Sequence, residues 1–193
     1  MSTIDELKND RLKKIQNIEA YPAESEYTKT IGEFLSDFNI EDKTVNTLVG
    51  RVMNMRSFGN LAFAKMSDGS SSIQIVLERE IDEESINYFE EHIDVGDFVQ
   101  VSGTNYITKK GENSLLVTKI KLISKALLPL PDKHAGLQDE EEKMRKRYLD
   151  ILLDENKREL FYKKAKFWQT IRSFLNDKGF LEVETPTIET TTG

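Results

Sequence analysis

A mainly β fold of the α+β class is predicted for this chain of 193 residues: a five-stranded barrel with helices before and after it. Three observations carry that expectation. Between residues 45 and 125 apolar side chains recur at every second position, the period of a half-buried strand. Turn signals and one helix-like insert divide the stretch into five such runs. On either side the apolar spacing changes to the three-and-four pattern of amphipathic helices.

The elements follow in order. Residues 3–20 read as a helix, because Thr3 and Glu6 have capping-box spacing and Ile4, Leu7, Ile15 and Ile18 lie near one face. Lys8, Arg11, Lys13 and Lys14 are interleaved, so the helix either packs on its own protein or touches a polyanion; Tyr21-Pro22 stops it. Thr30 and Glu33 mark a second, short helix. A first strand is expected at 47–56. Residues 61–67 alternate, with Ala62, Ala64 and Met66 on one side and Leu61, Phe63, Lys65 and Ser67 on the other. Asp68-Gly69 signals a turn. The next strand, 72–79, places Ile73, Ile75 and Leu77 inward and Gln74, Val76 and Glu78 opposite. A helix is expected over 83–93, then strands at 98–106 and 114–123 joined by a turn at Lys109-Lys110-Gly111. The order β-β-β-α-β-β is that of the OB-fold.

Residues 128–138 hold two of the four prolines and read as an extended linker. Acids 139–142 open a further helix and Arg145–Arg147 follow, an order that suits the helix dipole. Asp154 is placed to cap a long helix, whose apolar surface comes from Leu160, Phe161, Phe167, Trp168, Ile171, Phe174 and Leu175. Gly179 is placed to end it, and residues 180–185 alternate like a strand up to Pro186.

Composition excludes several classes of function. There is no cysteine, so disulfides and thiolate metal sites are absent, which fits a reducing, cytoplasmic setting. The two histidines, His92 and His134, have no metal-ligand spacing, and His134 reads as structural. No run of the sequence is apolar enough for a membrane span or a signal core. The net charge of −7 argues at first against nucleic acid. The local balance argues the other way. Residues 45–76 carry Arg51, Arg56 and Lys65 against Asp68, and residues 98–125 carry five lysines against Glu112. The intervening 77–97 carry nine acids and one arginine. A polyanion responds to the field within a screening length of roughly 8–10 Å, not to the average.

Phe63 is the strongest clue within the barrel. It lies opposite the small inward face of its strand, and an outward phenylalanine can stack on a nucleobase. Arg56 and Gln74 fall on the same sheet face and can read base edges. The alternative is that Phe63 packs under the N-terminal helix. Glu112 stands among lysines at a hairpin tip, either as a solvated turn residue or as an acceptor for a base amino or imino group. The acidic run reads as a solvated helix face, and no glycine loop of phosphate-cradling type is present.

Together these residues resemble a known family. Gly50-Arg51, Arg56, Gly59, Phe63, Asp68, Ile73-Gln74, Gly96-Asp97, Gly103 and Lys110-Gly111-Glu112 fall in the order and spacing of the anticodon-binding barrel of class II lysyl-tRNA synthetases. Residues 125–138, Lys-Ala-Leu-Leu-Pro-Leu-Pro-Asp-Lys-His-Ala-Gly-Leu-Gln, are similar to that family's hinge. Arg147-Tyr148-Leu149-Asp150 and the 160–186 segment ending at Pro186 are similar to the start of its catalytic domain, through motif 1. Lys65, Ala135, Lys143 and Met144 depart from the family pattern.

The resemblance implies four anticodon contacts: Phe63 stacking on a uridine, Arg56 and Gln74 bonding the central base, and Glu112 reading the first. Lys65, Lys109 and Lys110, as cations beside these residues, are expected to contact the tRNA backbone, and the resemblance implies that Phe167, Gly179 and Pro186 belong to the motif 1 dimer interface. The whole protein would attach lysine to tRNA-Lys through a lysyl-adenylate, using ATP and Mg2+, as a cytoplasmic homodimer. Motifs 2 and 3 would lie beyond residue 193, so these residues would supply anticodon binding without catalysis, and none of them would hold a metal or ATP. The alternatives are a stand-alone OB-fold RNA-binding module and an aspartate or asparagine enzyme of the same subclass. The expected organisation is a helical extension at 1–44, the barrel at 45–125, a hinge at 126–138 and the start of a catalytic domain at 139–193.

Overall fold

The structure is a computed structural model that describes residues 3–131 and 137–188. It divides into two compact units, Met1–Leu130 and Pro131–Gly193. The first contains α1 (Ile4–Lys14), α2 (Ile31–Ser36), β1 (Asn46–Ser57), β2 (Leu61–Ser67), β3 (Ser72–Glu78), α3 (Glu83–His92), β4 (Phe98–Ile107) and β5 (Asn113–Ser124). The second contains α4 (Glu140–Arg145), α5 (Arg147–Leu153) and α6 (Glu155–Asp177).

The five strands close into a barrel in the order β1-β2-β3-β5-β4. At 12 residues, β1 is long enough to serve two neighbours. Residues 46–51 pair with β4 and residues 51–57 with β2, both antiparallel. A short parallel pairing of Gln74–Val76 with Ser114–Leu116 shuts the barrel, so no strand is left as an open edge. The alternation in β2 and β3 is realised: Ala62, Ala64, Met66, Ile73, Ile75 and Leu77 are all buried in the core. Ile86 and Phe89 of α3, with Ile31 and Phe34 of α2, join the same cluster. Gly103 sits at a register shift between β4 and β5, where a Cβ would lie 2.0 Å from the Leu116 carbonyl oxygen. Only a residue without a side chain lets the two backbones approach that closely.

Both expected capping boxes are formed, Thr3 with Glu6 and Thr30 with Glu33. The first helix is nevertheless shorter than the expected 3–20. It ends at Lys14, whose carbonyl accepts a hydrogen bond from His92 Nδ1 (2.7 Å). Ile15 and Ile18 pack on the core from beyond the helix end, whereas Ile4 and Leu7 stay exposed. A tertiary contact has overridden helix propensity here.

A buried ion network fixes the end of β5. The Lys125 ammonium has no exposed side-chain surface and donates to the His92 carbonyl (2.6 Å), Asp94 (2.6 Å) and Asp97 (2.7 Å). Asp97 also accepts from the backbone N–H groups of Asp94 and Ala126. Lys14 pairs with Asp94 at 2.7 Å, and the Arg11 guanidinium donates to the carbonyls of Val95, Ala126 and Leu128. The basic face of α1 is therefore engaged with its own protein through Arg11 and Lys14.

In the second unit, Asp154 caps α6 by accepting from the N–H groups of Asn156 and Lys157. Gly179, at φ +81°, ends the helix. Its N–H donates to Asn176 and that of Phe180 to Leu175, the paired bonds of a Schellman motif. The expected strand at 180–185 is not formed. The alternation is present, but no strand among the described residues pairs with it, and a single strand leaves its N–H and C=O groups unbonded. The hinge residues 132–136, including His134 and Ala135, and the loop at Thr192-Gly193 lie outside the described residues.

Candidate nucleic-acid interface

One face of the barrel carries an open groove of about 840 Å³. Strand register explains its composition. Arg56 on β1 faces Phe63 on β2, and Lys65 on β2 faces Gln74 on β3. Cross-strand partners share a face, and so do residues two apart along a strand, so these four side chains point the same way. The β4–β5 hairpin adds Lys109, Lys110 and Glu112. Its tip is built by Gly111 at φ +81° and by bonds from Gly111 N–H to the Thr108 carbonyl (2.8 Å) and from Glu112 N–H to Thr108 Oγ1 (3.1 Å). All seven barrel residues singled out in the sequence line this one groove.

The side-chain heads of Arg56, Lys65, Gln74, Lys109, Lys110 and Glu112 make no hydrogen bond or ion pair within the described residues. They are free to meet a ligand. Acids are present too: Glu78 and Glu80 also line the groove. Glu78 accepts a hydrogen bond from the Tyr106 hydroxyl (3.2 Å). Burial and the neighbouring Glu78 carboxylate push the Tyr106 phenol above its ordinary range, so it stays a neutral donor.

Phe63 is half-buried and does not pack under α1. Its neighbours are Val76 on β3 and Phe58, whose ring centroid lies 6.3 Å away at an interplanar angle of 67°. Val76 reads from its sequence as outward. It is 1% exposed yet outside the core cluster, flanked across the sheet by Phe63 and Leu116. The apolar lining of the groove comes from Met55, Phe58, Leu61 and Phe63, with polar heads beside them.

Sequence reasoning missed Phe58, Asn60 and Tyr106, which line the groove as well. Phe58-Gly59-Asn60 carries a turn signature that hides an aromatic with a place in the site. Tyr106, at the end of β4, alternates with buried Asn105 and is found by register alone.

The three residues expected at a dimer interface lie in the second unit. Phe167 is 59% exposed, with its ring centroid 5.4 Å from that of Trp168. Gly179 ends α6, and Pro186 is exposed beyond it.

Comparison with known proteins agrees with the barrel fold. The model of the tRNA anticodon family, an OB-fold nucleic acid binding domain, matches residues 47–123. The model of class II tRNA synthetases (D, K and N) matches residues 139–193. The chain is thus similar, in separate segments, to an OB-fold nucleic-acid-binding domain of the tRNA anticodon family and to part of the class II tRNA synthetases of the aspartate, lysine and asparagine group. Lysine–tRNA ligases are among its curated relatives. That of Chloroflexus aurantiacus is 38% identical over 96% of this chain and 40% of its own length. That of Dehalococcoides mccartyi is 43% identical over 78% of this chain and 30% of its own length. Lysine–tRNA ligase 2 of Methanosarcina mazei is 38% identical over 92% of this chain and 36% of its own length. The chain thus spans well under half the length of these relatives. No helix among the described residues is long and apolar enough to cross a membrane.

Proposed function

We propose that this chain reads the anticodon of tRNA-Lys for a lysine–tRNA ligase. The observation that carries the reading is the gathering of Phe63, Arg56, Gln74 and Glu112 in one groove ringed by Lys65, Lys109 and Lys110. An unpaired base stacks on Phe63, Arg56 and Gln74 bond the edge of the central base, and Glu112 accepts from the first. The lysines meet phosphates. Base-edge contacts specify and phosphate contacts position, so the two sets have separable signatures.

The whole enzyme would join lysine to tRNA through a lysyl-adenylate in the cytoplasm. ATP supplies the activating phosphoryl chemistry and Mg2+ its charge compensation, and this chain's residues are assigned to neither. Among the described residues no group of three metal-ligating side chains gathers. A homodimer would bury the apolar face of α6 around Phe167, with Gly179 and Pro186 shaping its far end. The organisation into a helical extension, barrel, hinge and synthetase segment belongs to the same reading.

The test is the affinity of the chain for anticodon stem-loops varied one base at a time, at fixed salt. Phe63→Ala should weaken a UUU stem-loop by about 1–3 kcal/mol, the stacking range. Arg56→Ala and Gln74→Ala should lose discrimination at the central base, and Glu112→Ala at the first. Lys109→Ala should weaken all RNAs alike and flatten the salt dependence. Wild-type affinity in Phe63→Ala would remove the stacking role. Equal binding of lysine and aspartate stem-loops would remove the lysine assignment.

A further inference from the structure

The β1–β2 hairpin tip is held more firmly than a solvated turn requires. The Phe58 N–H donates to the Leu61 carbonyl at 2.7 Å, and Gly59 takes φ +72° at the first central position of the turn. From outside the hairpin, Arg79 clasps it twice. Its backbone N–H donates to the Asn60 carbonyl (2.9 Å) and its Nε to the Gly59 carbonyl (3.4 Å). The Arg79 guanidinium is in turn held by Glu83, Asn87 and Glu90 of α3, and Ser57 bonds Glu90 directly. Part of the acidic face of α3 is therefore not merely solvated. It anchors the loop that presents Phe58.

Phe58 itself is 67% exposed and lines the groove. A fixed, exposed phenylalanine contributes little to the fold. Its ring stands at 67° to that of Phe63, with centroids 6.3 Å apart. Two rings at this angle cannot both lie parallel to one flat ligand. They form a corner. A planar group stacked on Phe63 would lie at about that angle to the Phe58 ring, and edge-to-face contact is a favourable aromatic geometry. Free cations at Arg56, Lys65, Lys109 and Lys110 border the same groove, which favours a planar group carried on an anionic backbone.

We propose that Phe58 is a second base contact, closing a corner with Phe63 that holds one unpaired RNA base by stack and edge together. The proposal rests on the reading of the groove as a single-stranded RNA site. It brings Phe58 into that site, and it makes the acidic helix a support for it, since Arg79 and Glu90 position the wall of the corner.

The experiment measures binding of the chain to the UUU anticodon stem-loop at fixed salt, for wild type, Phe58→Ala, Phe58→Leu, Phe63→Ala and the double alanine variant. It is repeated with stem-loops in which each loop base in turn is replaced by an abasic site. Phe58→Ala should weaken binding about two- to tenfold, the range of one aromatic pair. Phe58→Leu should not restore it, because the contact needs a ring. The loss should vanish for the same abasic position that abolishes the Phe63→Ala effect, and the two substitutions should be non-additive. Wild-type affinity in Phe58→Ala, with Phe63→Ala weakened, would overturn the corner and leave the groove intact. A Phe58→Ala loss that is the same for every abasic loop would overturn it as well, by assigning Phe58 to the fold. If neither alanine variant changes affinity, both the corner and the groove reading fall.

Discussion

Single residues decide this barrel where charge or backbone has no room to adjust. Lys125 is the clearest case. Its ammonium is fully buried between Asp94, Asp97 and the His92 carbonyl, at the point where β5 ends. Lys125→Ala would leave the buried Asp97 carboxylate without its cation. Breaking one side of a buried pair costs about 3–5 kcal/mol, since the remaining charge keeps its desolvation penalty. Urea denaturation of the variant should show that loss, and a change below about 1 kcal/mol would contradict the network's role. The sequence did not reveal this cluster. Lysine is rarely buried, and the carboxylates that neutralise it come from the α3–β4 loop. Phe63 was readable for the opposite reason: the small residues Ala62 and Ala64 fix the inward face of β2, so the intervening aromatic must point out. Val76 obeys the same alternation and still ends up covered, because burial on the outer face depends on neighbours contributed by other strands.

At the scale of elements, local signals were reliable wherever a side chain bonds to its own helix. The Thr30–Glu33 box opens α2, and Asp68 reinforces it from the β2–β3 turn by accepting from the Ile31 N–H (2.7 Å). Since Ile31 and Phe34 are core residues, fraying of this short helix is transmitted to the barrel. Thr30→Ala should cost about 1 kcal/mol, as a lost N-cap does. Hydrogen exchange at Glu33, whose N–H the cap accepts, should speed up first. What local signals could not give was the length of α1 or the pairing of residues 180–185. Helix α1 ends at a contact with His92, far along the chain, and a strand exists only with a partner. Five strands and the intervening helix were legible because each carries its own period. The closing pair, β3 with β5, was not, because parallel contact between distant runs leaves no periodic mark in either.

Over the whole molecule, charge is sorted: acid along α3, unpaired cations around the groove. The first consequence is for stability against pH. Burial raises the carboxyls of Asp68 and Asp94, but hydrogen bonds outweigh it and hold both below the ordinary aspartate value of 3.8. The Asp68 bonds come from Ile31, Ser70 and Ser71, and those of Asp94 from Lys125 and Lys14. A depressed carboxyl stabilises the folded state fully above its unfolded value, and that contribution is lost as pH falls through the folded value. The denaturation midpoint should therefore hold steady from neutral pH down to about 5 and drop below about 4. Asp94→Asn should flatten that drop, and an unchanged acid limb would show that other carboxylates dominate it.

The double pairing of β1 also governs how the barrel comes into being. Asn46 must meet Gly103 and Arg51 must meet Phe98 before β1 has both its neighbours. The intervening hairpin and α3 can form early, but they enclose nothing until the chain has doubled back across them. Contacts this distant along the chain delay folding, because the entropy of closing the loop is lost before the contacts repay it. The isolated barrel should refold on the millisecond-to-second scale typical of small β barrels. On the ribosome, it should become protease-resistant only after β5 has left the exit tunnel, and stalled chains that end before Phe98 should remain fully digestible.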